Sequence, residues 1–188
     1  MNNTRRKTNK LTLENTRLVY RSHFTDEPDN FGNTSRYFNV YLDEDNPKNK
    51  YGLPGAQRPL KIEDLVNDGW NVKFTKATED YESVPFIKVN VAYRNRDGSK
   101  KRRTPLVIKQ IGGPDYKVTV DEESIGDLDI EYIENIDYVD INAYEYEPGK
   151  VSGYLVNMCL TVEDDPFLRE YGDAVAPAQK IEEDDLPF

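Results

Sequence analysis

The sequence predicts a mainly β domain, either a small barrel or a sandwich, on three observations. Roughly seven or eight short stretches alternate apolar and polar residues. Gly, Pro, Asn and Asp punctuate the intervals between them. No helix-length apolar pattern recurs between strands, as a βαβ fold would require. The 188 residues suffice for one well-buried domain with appendages. Although 32% of the chain is charged, its thirteen Tyr and seven Phe provide the bulk for a β-rich core.

Residues 1–13 are polar, carry Arg5, Arg6, Lys7 and Lys10, and read as a flexible basic arm. Thr16 to Phe24 alternates, with Leu18, Tyr20, Ser22 and Phe24 on one side of a half-buried strand and Arg17, Val19, Arg21 and His23 on the other. A Pro/Asn/Gly-rich loop follows, from Asp26 to Thr34. Arg36 to Leu42 is the next strand, with Phe38, Val40 and Leu42 facing one way and Tyr37, Asn39 and Tyr41 the other. Asp43 to Gln57 reads as a long surface loop. Leu60, Ile62, Leu65 and Val66, closed by Gly69, then fit a short helix with a glycine stop.

Strands resume at Trp70 to Lys76, with Trp70, Val72 and Phe74 on the apolar side. In Pro85 to Arg94, Ile87, Val89, Val91 and Tyr93 oppose Phe86, Lys88, Asn90, Ala92 and Arg94. The Asp97-Gly98 turn predicts a hairpin whose outgoing side starts at Lys100-Lys101-Arg102-Arg103 and runs into Leu106 to Ile111. After Gly112-Gly113-Pro114 come a short strand, Tyr116 to Val120, and a helical turn within Asp121 to Asp129 capped by Asp121. The clearest hairpin is the last. Ile136 to Tyr146 places Val139, Ile141 and Ala143 on one face, Pro148-Gly149 turns, and Val151 to Val162 returns with Tyr154, Val156, Met158, Leu160 and Val162 on its apolar side. The expected organisation is therefore a basic arm (1–13), a β domain (14–163) and an acidic linker and tail (164–188).

Composition narrows the function. His23 is the sole histidine, so Ser-His-Asp, Cys-His and multi-histidine metal sites are unavailable. A single cysteine, Cys159, excludes an internal disulfide and a cysteine-based zinc site, and suits a reducing cytoplasm. The acidic pairs Asp164-Asp165 and Asp184-Asp185 read as solvated rather than metal-binding. No Walker-type phosphate loop is present, and no catalytic residue, cofactor or metal is assigned. The start of the chain lacks the apolar run of a signal peptide, and nowhere do membrane-spanning lengths of apolar residues occur, so a cytosolic protein without a membrane partner is expected.

The net charge of −10 conceals an asymmetry. Residues 1–110 hold 21 Lys and Arg against 14 Asp and Glu (net +7), whereas residues 111–188 hold 4 against 21 (net −17). If that division survives folding, a basic surface can meet phosphates while acidic regions discourage promiscuous polyanion binding. Interleaving of the halves in the fold would cancel it.

The chain closes on Ile181-Glu182-Glu183-Asp184-Asp185-Leu186-Pro187-Phe188. Four acids keep the segment solvated. Phe188 with the terminal carboxylate forms an apolar anchor beside an anion, and Pro187 limits the entropy lost on docking. This tip resembles that of bacterial single-stranded DNA-binding proteins (SSBs), in which acids precede a terminal Ile-Pro-Phe or Leu-Pro-Phe and recruit replication and repair enzymes. Asn135-Ile136-Asp137 through Ala143-Tyr144, with Gly153-Tyr154-Leu155 to Val162, is similar to the closing hairpin of phage-encoded SSBs. The resemblance implies a five-stranded oligonucleotide/oligosaccharide-binding (OB) barrel, here with extra hairpins and one or two short helices. It also implies single-stranded DNA as ligand, and replication or recombination proteins (a polymerase, helicase, primase or nuclease) as partners. Those partners would engage the tip through Asp184, Asp185, Leu186, Pro187 and Phe188. Unlike ordinary bacterial SSBs, this chain has no long Gly/Gln-rich linker before the tail.

A single-stranded DNA track needs cations for the backbone and aromatic faces for the bases. Candidates are Arg17 and Arg21 on the first strand, Arg36, Tyr37 and Tyr41 on the next, then Lys73, Phe86, Lys88 and Arg94. Lys100, Lys101, Arg102 and Arg103, at a hairpin tip, read either as a basic finger that closes over the strand or as a solvated loop that keeps the edge soluble. Trp70 is assigned to the core. For Tyr37 and Tyr41, base stacking and cross-strand packing both remain open. An exposed sheet edge would permit a homodimer. The rival reading is an acidic interaction protein or DNA mimic that uses the tip to capture a host replication enzyme and never touches DNA. A carbohydrate-binding β module is a third, but it gives no reason for the tip.

Overall fold

Two long neighbouring strands form the spine of the computed structural model, which describes residues 8–28, 30–32 and 34–163. In chain order the elements are β1 (Lys10–Thr16), β2 (Arg36–Tyr41), β3 (Lys50–Gly52), β4 (Arg58–Pro59), α1 (Ile62–Asn67), β5 (Lys73–Phe74), β6 (Pro85–Val91), β7 (Leu106–Ile111), β8 (Lys117–Val120), β9 (Ile133–Glu147) and β10 (Lys150–Val162). Two 3₁₀ turns, Ile125–Asp127 and Ile130–Tyr132, precede β9. β9 and β10 are the predicted hairpin. Gly149 turns the chain at φ 76°, a conformation that costs glycine little.

One edge of this hairpin carries β1, with Leu11 opposite Ile141 and Leu13 opposite Val139, and then β3 and β4. The other edge carries β6 and then β2. The sheet order is β2-β6-β10-β9-β1-β3-β4. Phe38, Val40, Ile87, Val89, Val139, Ile141, Met158 and Leu160 are all fully or almost fully buried, as the alternation in their strands predicts; Ile136 is buried too, out of phase with Val139, because the register with β10 shifts between Cys159 and Leu160. Each such side chain contributes about 1.5–3 kcal/mol through its burial.

The structure departs from the sequence reading in several places. The strand ladders leave the sheet open, in place of the expected closed five-stranded barrel. The chain after β1 returns to β2 only through isolated bridges, Leu18 to Val40 and His23 to Tyr37. Left-handed backbone at Asn15 (φ 50°) and Tyr20 (φ 55°) interrupts the regular ladder there. Hence Thr16 to Phe24 is no continuous strand, and Val19 is buried while Tyr20 is 58% exposed.

Second, Lys10 to Leu13 belong to β1 rather than to a basic arm, because Leu11 and Leu13 insert into the core; residues 1–7 lie outside the described residues. Third, β6 and β7 do not pair with each other beyond the turn. Both run parallel to β10, one after the other along the same edge. Fourth, the predicted strand Trp70 to Lys76 shrinks to β5, and Phe74 is exposed. Fifth, the supposed loop Asp43 to Gln57 contains β3.

The helix, by contrast, is present and ends as expected. Gly69 (φ 97°) follows it and packs so closely on the Gly149 backbone that a Cβ would overlap it. Trp70 is in the core, where its Nε1–H donates to Tyr51 Oη (3.0 Å), which donates in turn to Asp68 Oδ2 (2.7 Å). Burial, then the Asp68 hydrogen bond, push the Tyr51 hydroxyl up to about 12. Asp140, also buried, is satisfied by Lys10 Nζ at 2.8 Å and by Thr12 and Tyr138 hydroxyls donating at 2.6 and 2.9 Å.

Candidate nucleic-acid interface

The pairing of β2 with β6 sets Tyr37 opposite Asn90, Asn39 opposite Lys88, and Tyr41 opposite Phe86. Directly paired residues share a face, so the polar sides of the two strands merge into one surface. β5 extends it, placing Lys73 opposite Phe86. Segment 17–23 runs along its far side, held by Val19 N–H to Asn39 O (2.9 Å) and Tyr41 N–H to Arg17 O (3.0 Å). The result is an open cleft of about 340 Å³ lined by Tyr20, Arg21, Tyr37, Asn39, Lys73, Phe86 and Lys88.

Two cations of this region sit on aromatic faces. Lys88 Nζ lies 4.4 Å from the Tyr37 ring centroid, and Arg17 Cζ lies 5.1 Å from that of Tyr41. The Tyr20 ring meets Phe86 edge-on at 5.3 Å, and its hydroxyl accepts from the Lys76 backbone N–H at 3.1 Å. Tyr41 titrates above its ordinary value, through partial burial and then the Asp43 carboxylate, so its ring stays neutral. Lys73, Lys88, Arg17 and Arg21 form no ion pair among the described residues.

Of the predicted site residues, Arg17, Arg21, Tyr37, Tyr41, Lys73, Phe86 and Lys88 therefore come together here. Phe86 differs from its expected exposure: it is 6% exposed, because Tyr20 covers it. Arg36 and Arg94 lie elsewhere. Arg36 lies opposite Val91, on the other face of β2 from Tyr37, where its side chain donates through Nε to Phe24 O (2.9 Å) and covers the Tyr93 ring. Arg94 is neutralised by Glu122 at 2.7 Å. Both line a second cleft, of about 500 Å³, that also contains Asp26, Glu27, Glu122, Glu123 and Asp127.

Lys100, Arg102 and Arg103 are exposed, Lys100 beside Arg94 across the turn, and none of them lines the cleft. Lys101 is half-buried, with Nζ 5.4 Å from the Tyr154 ring centroid. The tip residues Asp184 to Phe188 lie outside the described residues. Cys159 is buried, and burial raises its thiol above the ordinary range.

Two aromatic contributors escape a sequence reading. Tyr20 alternates with core residues and is assigned to the core side, and only its left-handed backbone turns it outward. Tyr154 also alternates with core residues, but an irregularity at Val156 shifts the register between Leu155 and Asn157. Gly153 and Leu155 thus face inward before it, and Met158 and Leu160 after it. The one available signal is Gly153, at which a Cβ would come within 2.9 Å of both Ile141 and Trp70 side-chain atoms.

Residues 1–186 match a family described as "putative phage ssDNA-binding domain". The chain belongs to this phage single-stranded DNA-binding family. No curated protein and no solved structure matches it. Membership supports single-stranded DNA as the ligand class, and the cation–aromatic face has the chemistry which that ligand requires.

Proposed function

We propose that this phage-family protein binds single-stranded DNA without sequence preference on the β2/β6 face, in the cytoplasm where phage DNA is replicated, recombined or repaired. It works by binding and carries out no reaction. The arrangement resembles an OB barrel in use if not in ladder closure, since segment 17–23 brings the end of β1 back against β2. The observation that carries the proposal is Lys88 above Tyr37 in the cleft, with Arg17 above Tyr41 beside it, two cations that form no ion pair among the described residues.

Magnitudes explain how such a face would operate. A cation over an exposed ring gains about 0.5–1 kcal/mol, whereas a base stacked on the same ring gains about 1–3 kcal/mol. A base therefore displaces Lys88 from Tyr37, and the released ammonium finds a backbone phosphate beside it. Ring and cation are thus both used by the bound strand. Neither contact reads base identity, which supports binding without sequence preference.

Recruitment of replication or recombination enzymes by Asp184 to Phe188 is the second half of the proposal, and it rests on the sequence of the tip. Deleting that segment should spare or strengthen DNA binding and abolish capture of partners. The decisive test is titration of fluorescein-labelled oligo(dT) at low salt. A rise in anisotropy that weakens steeply with salt and is absent for duplex DNA is expected. No rise at low salt would leave the acidic interaction protein as the reading.

A further inference from the structure

Beyond the cleft, the same sheet face continues across β10 and β9. Parallel pairing puts Tyr154 beside Asn90, which lies opposite Tyr37, and Asn90 Nδ2 donates to Gly153 O at 3.2 Å. On the next strand Tyr154 is opposite Asn142, and Tyr144 is two residues further on. The Tyr144 and Tyr154 rings meet edge-on, 5.8 Å apart at 83°. Lys101, arriving from the basic turn, sits over Tyr154. Tyr144 is 53% exposed, so its ring is open to a ligand on the side away from Tyr154.

We propose that Lys101, Tyr154 and Tyr144 form a second base-stacking subsite, so that single-stranded DNA crosses the strands from the cleft over β10 to β9. This rests on the proposed DNA-binding function. The chemistry repeats that of the first site, with a cation on an aromatic face and a second ring alongside. The separation fits one continuous ligand. Tyr37 and Tyr154 are two strand spacings apart, about 10 Å, with Asn90 between them as a hydrogen-bonding floor. The phase shift at Val156 turns Tyr154 outward onto this face. The subsite also gives part of the basic run Lys100–Arg103 a defined role: Lys101 contacts this face, while Arg102 and Arg103 stay exposed beside it.

The test compares association constants for oligo(dT) of about 4 and about 16 nucleotides, lengths that bracket the sites of single-strand binders. The short oligomer fits the cleft alone, and the long one reaches both sites. Variants are Tyr144→Leu, at an exposed position where folding is undisturbed, and Lys101→Gln, with Tyr154→Leu as a third. The expected result is that the long-to-short affinity ratio falls by at least about fivefold in Tyr144→Leu, with a smaller fall in Lys101→Gln. An unchanged ratio in both Tyr144→Leu and Lys101→Gln overturns the subsite, as does an equal loss at both lengths. If the wild-type chain binds neither oligomer, the DNA-binding proposal itself fails, which is a distinct outcome.

Discussion

Replacing Tyr37 by leucine separates the two roles open to that ring, stacking platform and packing residue. Tyr37 is half-buried on the outer face of β2, its ring 6.0 Å from His23 and 4.4 Å from Lys88 Nζ. Leucine retains apolar contact, so the structural cost stays below about 1.5 kcal/mol, or about 6 °C in melting temperature for a chain of this size. Losing one stacked base costs about 1–3 kcal/mol. The variant also no longer has to move Lys88 off a ring, which returns about 0.5–1 kcal/mol. The net loss centres on about 1.3 kcal/mol, roughly a tenfold rise in Kd. Fluorescence anisotropy with oligo(dT) at low salt reads the affinity, and a thermal melt of the same sample reads the fold. A Kd within about twofold of wild type refutes stacking on Tyr37. A melting temperature that falls far more than about 6 °C shows instead that the ring is there to pack.

Other perturbations probe the surrounding structure. Lys88→Gln should reduce the slope of log K against log salt by about 0.7, the value for one phosphate contact to a single strand; an unchanged slope in a salt titration removes Lys88 from the track. Gly153→Ala pushes a methyl group against Ile141 and Trp70 at 2.9 Å, and should destabilise the domain by about 1–3 kcal/mol in urea unfolding. Wild-type stability in that variant would mean that the β10 register is wrong. Tyr93 is buried with no hydrogen-bond partner for its hydroxyl among the described residues, and burial raises its pKa from 10.0 to about 12. The folded state therefore favours the neutral phenol, a contribution that is whole below pH 10 and is lost as pH climbs through about 12. Tyr93→Phe should flatten that alkaline loss and leave neutral-pH stability unchanged or higher. Denaturant midpoints across the range will show it, and an identical alkaline slope in both proteins speaks against the buried phenol.

Period-2 alternation made β2, β6 and the β9/β10 hairpin legible, because each buries one face and the side chains report it directly: Phe38, Val40 and Leu42 inward, Tyr37, Asn39 and Tyr41 outward. The same rule misplaced Tyr20 and Tyr154. Alternation carries phase only while the backbone stays regular, and a left-handed residue or a one-residue register shift inverts everything beyond it. Neither departure has a distinctive side chain at its centre, since the residues there are Tyr20 and Val156. Pairing partners were equally hidden. Asp97-Gly98 does turn the chain, yet the strands on either side run parallel to β10 rather than pairing with each other. The membership of the cleft depends on those partners. Lys88 and Tyr37 are 51 residues apart in sequence, and only the β2/β6 register brings them together.

The charge asymmetry shows how the fold sorts cations that sequence treats alike. Arg94 belongs to the basic half of the chain and Glu122 to the acidic half, and their contact at 2.7 Å is the interleaving that would cancel the division. Arg36 shares that acidic cleft. Lys88 and Arg17 rest on rings and form no ion pair among the described residues. An ion pair must be broken and its carboxylate left unpaired before its arginine can meet a phosphate, whereas a ring yields a cation at a cost of about 0.5–1 kcal/mol and then becomes a stacking surface itself. A cation resting on an aromatic face is therefore better prepared for DNA than one in an ion pair. That criterion, more than the count of Lys and Arg, separates the proposed track residues Arg17, Lys88 and Lys101 from Arg94, whose ion pair with Glu122 instead ties the turn after β6 to the segment before the first 3₁₀ turn. Arg36, although it covers the Tyr93 ring, is set apart by its hydrogen bond to Phe24 O and its place in the acidic cleft.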